Sequence, residues 1–99
     1  MSEQLTMASL SEQLNTKFRV GAGADKVVEL ELVEVEGHGD VAGQAGRFSI
    51  YFRGPLEHFF PQSIYRMGHE QLGDVEIFIV PIRKDGEGIY YEAVFNRVS

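Results

Sequence analysis

The stretch Asp74-Val-Glu-Ile-Phe-Ile-Val-Pro-Ile-Arg83, then Lys84-Asp-Gly-Glu-Gly88, then Ile89-Tyr-Tyr-Glu-Ala-Val-Phe-Asn-Arg-Val98 decides the fold. Its first part alternates with period two, placing Val75, Ile77 and Ile79 on one face and Phe78, Val80 and Ile82 on the other. Asp85-Gly86 is a strong hairpin signal between two such runs. The second part repeats the alternation, with Tyr91, Ala93 and Phe95 opposite Tyr90, Glu92 and Val94. Both strands are apolar on both faces. In a small domain one face fills the interior, and the other must be covered by an N-terminal helix or by another chain.

Working outward, the same period recurs. Arg47–Arg53 sends Phe48, Ile50 and Phe52 inward, and Gly54-Pro55 ends it. Ser63–Met67 reads as a short extended segment. Lys26–Glu36 carries Val28, Leu30 and Leu32 on one face and Glu29 and Glu31 on the other. Its phase slips at Val33 and Val35, so a β-bulge near Leu32 or Val33 is expected to turn both valines inward. Lys17–Val20 is a further short strand, and Gly37–Gly46 a glycine-rich loop. Before the strands, Thr6–Asn15 carries Met7, Leu10 and Leu14 at helical spacing. Thr6 or Ser9 can cap it, Ser9 with Glu12 forming a capping box, and Asn15 can stop it.

The connections are too short for parallel crossovers. The expectation is a mainly β fold: a small antiparallel six-stranded meander curled into a barrel or half-barrel, with one short N-terminal helix. Residues 1–5 are expected to be a flexible terminus and residues 6–99 one domain, since a chain of 99 residues builds a single core.

Composition narrows the function. The chain has no cysteine, which excludes disulfides, thiolate zinc sites and a cysteine nucleophile. A formal charge of −6 argues against a nucleic-acid binder. No signal peptide or membrane-spanning run is present, so the expected location is the cytoplasm. The charge is uneven: residues 1–46 hold eight acids and three bases, residues 47–99 seven acids and six bases. Glu29, Glu31, Glu34 and Glu36 account for much of this. They read as a solvated strand face, with an acidic docking strip or a weak cation site as the alternative.

Motifs that suggest chemistry are incomplete. Gly37-His-Gly-Asp-Val-Ala42 matches a dinucleotide fingerprint, but a strand follows it where the pyrophosphate site needs a helix. His69-Glu70 begins a zinc motif whose second histidine position is Gly73. His38, His58 and His69 lie in different segments and read as exposed loop histidines, with no spacing that signals a metal site. No serine sits in a nucleophile elbow. The carboxylate pairs Asp74/Glu76 and Glu29/Glu31 look hydrated, unlike a catalytic pair. No catalytic residue, metal or cofactor is therefore expected.

Two features point to contact rather than chemistry. Arg53 and Glu92 are expected to form an interstrand ion pair that fixes register, with an arginine that binds a partner's carboxylate as the alternative. Gly54-Pro-Leu-Glu-His-Phe-Phe-Pro-Gln62 places Phe59 and Phe60 between prolines. Either one plugs the barrel end while the other leans on the surface, or the loop is an exposed aromatic anchor.

Phe48-Ser-Ile-Tyr-Phe-Arg-Gly-Pro55, Pro61-Gln62 with Tyr65, Gly73, Glu76–Pro81 and Tyr91-Glu-Ala-Val-Phe-Asn96 together resemble an uncharacterised bacterial family of small domains, a domain of unknown function. The resemblance spans about residues 8–96. It implies no catalytic residues. It implies a gene context beside phage-tail-collar-like fibre proteins, and so an accessory, chaperone-like or structural partner of a fibre protein.

The leading expectation is a non-enzymatic protein–protein interaction domain, binding another protein or itself through Leu56, Phe59, Phe60 and Arg53, or through a strand edge. A small-molecule or glycan-binding barrel is the second reading, signalled by a pocket of Tyr51, Tyr65, Tyr90 and Arg53. An unrecognised hydrolase is the third, signalled by a desolvated carboxylate beside a histidine.

Overall fold

The computed structural model describes residues 5–23, 25–38 and 47–96. Met1–Gln4 of the expected flexible terminus, most of the expected loop Gly37–Gly46 and Arg97–Val98 of the expected last strand lie outside the described residues.

One helix, α1 (Met7–Ser11), precedes six strands: β1 (Lys17–Gly21), β2 (Val27–His38), β3 (Arg47–Gly54), β4 (Ser63–His69), β5 (Gly73–Asp85) and β6 (Gly88–Asn96). All neighbours are antiparallel and the sheet closes into a barrel in the order β1-β2-β3-β6-β5-β4. The simple meander is corrected here: β1-β2-β3 and β4-β5-β6 are each meanders, joined by residues 55–62. That connection is too long for a tight turn, and it carries two prolines that cannot donate to a ladder. It runs across one end of the barrel, and Phe60 enters the interior there with 2% exposure.

The interior is filled by one alternating face of each strand, and on β5 and β6, where both faces are apolar, the structure makes the choice. Val28, Leu30 and Leu32 of β2, Phe48, Ile50 and Phe52 of β3, Val75, Ile77 and Ile79 of β5 and Tyr91 and Ala93 of β6 are all buried. β1 adds Phe18 and Val20, and β4 adds Met67. The bulge falls where the phase slip placed it: Leu32 faces Phe52, but Glu34 faces Tyr51, leaving Val33 as the extra residue. Val35 returns to face Ile50 and packs on the core. Val33 does not return with it, because the inserted residue is the one left without a ladder position. A second shift, between Pro81 and Arg83, leaves Ile82 as the extra residue, 45% exposed. Pro81 has no N–H for the ladder, and its neighbourhood is a natural place to break register.

Helix α1 is half its expected length. Thr6 is the N-cap, and its hydroxyl accepts the Ser9 N–H at 3.0 Å. The Ser9 hydroxyl accepts the Thr6 N–H at 3.0 Å, so the capping box is Thr6–Ser9 rather than Ser9–Glu12. After Ser11 the chain tightens into turns, with Gln13, Leu14 and Thr16 donating to Leu10 O, Ser11 O and Gln13 O, before it meets the sheet. Asn15 takes φ 69 and donates its N–H to Leu32 O at 2.7 Å, and Leu32 returns its N–H to Thr16 O at 3.0 Å. Of the apolar stripe only Leu10 is buried; Met7 and Leu14 are exposed. The helix packs on β2, not over β5 and β6.

Two glycines close the barrel end beside the crossover. A Cβ at Gly88 would lie 2.5 Å from Gly54 O, and a Cβ at Gly54 would lie 2.6 Å from Leu30 Cδ2. Only residues without side chains let these two strand ends meet.

Candidate functional site

The outer surface divides into an acidic side and an apolar side. On β2, Glu29, Glu34 and Glu36 are exposed and Glu31 is half-buried. The expected pair of Arg53 with Glu92 does not form. Arg53 instead meets Glu31 at 2.8 Å, with Glu87 at 3.7 Å. The register explains the exchange, since Arg53 stands directly opposite Glu31 on β2 and opposite Tyr90 on β6. Hydrogen bonding to Glu31 raises the Arg53 pKa. Glu92 stands opposite Tyr51, whose hydroxyl lies 3.2 Å from it and 3.1 Å from Glu36. Burial, with these two carboxylates, pushes the Tyr51 hydroxyl up to about 12.

The two phenylalanines of the crossover separate. Phe60 packs edge-on to Tyr65 and Tyr91 and tilts against His58. Its N–H donates to the Tyr91 hydroxyl at 3.0 Å in the interior. Phe60 is thus the plug and is removed from the expected partner-binding set, because a buried ring offers nothing to a partner. Phe59 is 56% exposed, and Leu56 is exposed beside it. With Pro81, Ile82, Arg83, Lys84 and Ile89 they line a groove of about 400 Å³. Arg53 does not join them. It borders a separate groove of about 660 Å³ with Lys17, Lys26, Glu57 and Glu87.

The histidines differ from the expected exposed set. His69 is buried against Phe18, ring centroids 4.4 Å apart. Its Nδ1 accepts the N–H groups of Gln71 at 3.0 Å and Leu72 at 3.2 Å. Nδ1 is therefore the unprotonated nitrogen, and Nε2–H is the donor to the Thr16 hydroxyl at 2.8 Å. Thr16 passes its own proton to Gln13 O at 2.6 Å. Burial, with Arg19 nearby, lowers the His69 pKa. The neighbouring Glu70 is exposed, so no desolvated carboxylate stands beside this histidine. His58 is half-buried in the crossover, at the opposite end of β4. Among the described residues no three His, Asp or Glu side chains are grouped to hold a metal ion.

The aromatic pocket that would signal a ligand binder is not assembled. Tyr51 and Tyr90 share a hollow of about 160 Å³ with the bulged Val33 and Ile82. Tyr65 lies on another wall, against Phe60, and donates its hydroxyl to Pro61 O at 2.7 Å.

The apolar side is larger than the crossover alone. Ile64 on β4 stands opposite Phe78 on β5, and they are 63% and 46% exposed. Val94 on the outer face of β6 is 55% exposed. Sequence alternation had marked Phe78 and Val94 as a second apolar face; Ile64 carried no such mark, because its strand is short and mixed.

Filled inside, charged on one wall and apolar on another, this is a small closed antiparallel β-barrel whose distinctive features lie on its outside. The chain belongs to the family described as a domain of unknown function, DUF6916, which matches residues 5–95. No curated protein and no solved structure matches the chain. Among the described residues no helix is long and apolar enough to cross a membrane.

Proposed function

We propose that this domain is a non-enzymatic cytoplasmic interaction module. It docks another protein on the outer face of β4, β5 and β6 together with the Phe59 end of the barrel. The observation that carries the reading is the row Ile64, Phe78 and Val94, exposed in a barrel whose only described helix packs elsewhere. Ile64 and Phe78 are cross-strand neighbours and β6 borders β5, and exposed apolar side chains on adjoining strands are characteristic of a contact site. The commitment of both His69 nitrogens to structural hydrogen bonds supports a non-catalytic role for this buried histidine.

A phage-tail-like fibre protein, which this chain would assist as an accessory, chaperone or structural piece, is the first partner to test. The experiment is co-expression with a fibre protein encoded beside the gene, followed by co-purification. Wild type is expected to carry the fibre protein through purification, and a Phe78→Ser/Val94→Ser variant of unchanged melting temperature to lose it. Undiminished co-purification with that variant would remove β4–β6 as the docking face. Sedimentation of the domain alone shows whether the same face pairs two copies.

A further inference from the structure

The groove between the crossover and the β5–β6 hairpin has a chemistry that selects its occupant. Resting on the reading above, we infer that it receives an acidic segment of the partner, one that carries large apolar side chains next to carboxylates. Leu56 and Phe59 line it from the crossover, and Pro81, the bulged Ile82 and Ile89 line it from β5 and β6. Leu56, Phe59 and Ile82 are each more than 40% exposed, so three of the large exposed apolar side chains converge on one concavity. A volume of about 400 Å³ accommodates one or two apolar side chains of a peptide.

The charges lining the groove are of one sign. Arg83 and Lys84 border it, and no carboxylate does. Arg83 is held in place, bonded to Asp85 at 2.9 Å and stacked 3.9 Å over the Tyr90 ring. Lys84 stands opposite Ile89 at the barrel rim and makes no ion pair among the described residues. The 660 Å³ groove is the internal contrast: its Lys17, Lys26 and Arg53 share the lining with Glu29, Glu31, Glu57 and Glu87. Asp85 offsets Arg83, to which it is bonded, so Lys84 is the cation left to meet an acidic ligand, and charges more than about 8 Å away are largely screened at physiological salt. At the groove itself an apolar anchor supplies affinity, while the cations select against basic partners.

The test is selection of a displayed library of random peptides on the whole domain. A synthetic consensus peptide is then titrated and followed by amide chemical shifts. Selected peptides are expected to combine Leu or Phe with Asp or Glu, and to move the amides of Leu56, Phe59 and Lys84. Lys84→Glu is expected to weaken the consensus peptide about fivefold, the scale of one exposed charge pair. Phe59→Ala, a change on the surface that melting should confirm as folded, is expected to abolish binding. Apolar peptides without acidic bias, or acidic peptides indifferent to Lys84→Glu, would overturn the inference and leave the docking surface standing. Peptides that shift only β4–β6 amides away from the groove would do the same. No selection at all would overturn both.

Discussion

The backbone N–H of Phe60 donates to a buried tyrosine hydroxyl, while the ring of Phe59, one residue earlier, is more than half exposed. Their substitutions should therefore differ in kind. Phe60→Ala opens a cavity at the barrel end and is expected to cost about 3–5 kcal/mol in urea unfolding. Phe59→Ala is expected to stay within about 0.5 kcal/mol of wild type. Comparable losses for both would mean that Phe59 is also structural. His69 makes a second prediction, in pH. Its folded pKa lies below the ordinary 6.5, so below that pH the unfolded chain binds more protons than the folded one. The contribution of the neutral ring is full above about pH 6.5 and is lost as pH falls beneath it. Stability measured from pH 7.5 down to pH 5 should fall more steeply in wild type than in His69→Leu. That variant should also be weaker throughout by about 1–3 kcal/mol, because Gln71 and Leu72 lose their acceptor. Equal slopes would show that another group sets the acid sensitivity. The role of His69 was not legible in the sequence. A histidine beside a glutamate reads as a surface pair, and only folding brings Phe18 and Thr16 against the ring.

At the scale of elements, alternation gave the inner faces of β2 and β3, and left β5 and β6 with two apolar faces each, between which it does not choose. It also gave the β2 bulge, since Val33 and Val35 break the period visibly. The β5 bulge was hidden, because Ile82 continues an apolar run and no phase change betrays it. The helix is shorter than its apolar stripe predicts for another reason: Asn15 and Thr16 pair with Leu32, and sheet formation outcompetes a last turn that is marginal alone. The ion pair failed on register. Arg53 and Glu92 share the outer surface, yet β3 and β6 set Arg53 against Tyr90, leaving the arginine to Glu31. Where β3 ends and β6 begins, the close approach of Gly88 to Gly54 supplies a sharp test. Gly88→Ala places a Cβ against a backbone oxygen that cannot swing aside, and should cost about 1–3 kcal/mol by thermal or urea unfolding. A neutral result would show that the barrel end opens easily.

The molecule as a whole is a packed barrel with two unlike sides. Glutamates on β2 keep one side in water, and the β4–β6 wall with the crossover leaves apolar side chains in solvent. If that wall serves contact rather than folding, polar replacement should be nearly free. Phe78→Ser with Val94→Ser is expected to change stability by no more than about 1 kcal/mol in total and to reduce concentration-dependent association. A large loss of stability would show that the wall is part of the fold. The place of α1 matters at this scale: anchored on β2 by Leu10 and the Asn15–Leu32 bond, it is not positioned to cover β5.

Residue order alone determined a cysteine-free, acidic, mainly β chain, the inward residues of β2 and β3, the Asp85-Gly86 hairpin and one bulge. All of these follow from period-two alternation and local turn chemistry, which neighbouring residues suffice to specify. Tertiary structure alone decided which strands close the barrel, which phenylalanine plugs it, which glutamate holds Arg53, and which apolar face stays bare. Each of these depends on the register between strands distant in sequence, and on a crossover whose path is set by what it can bury.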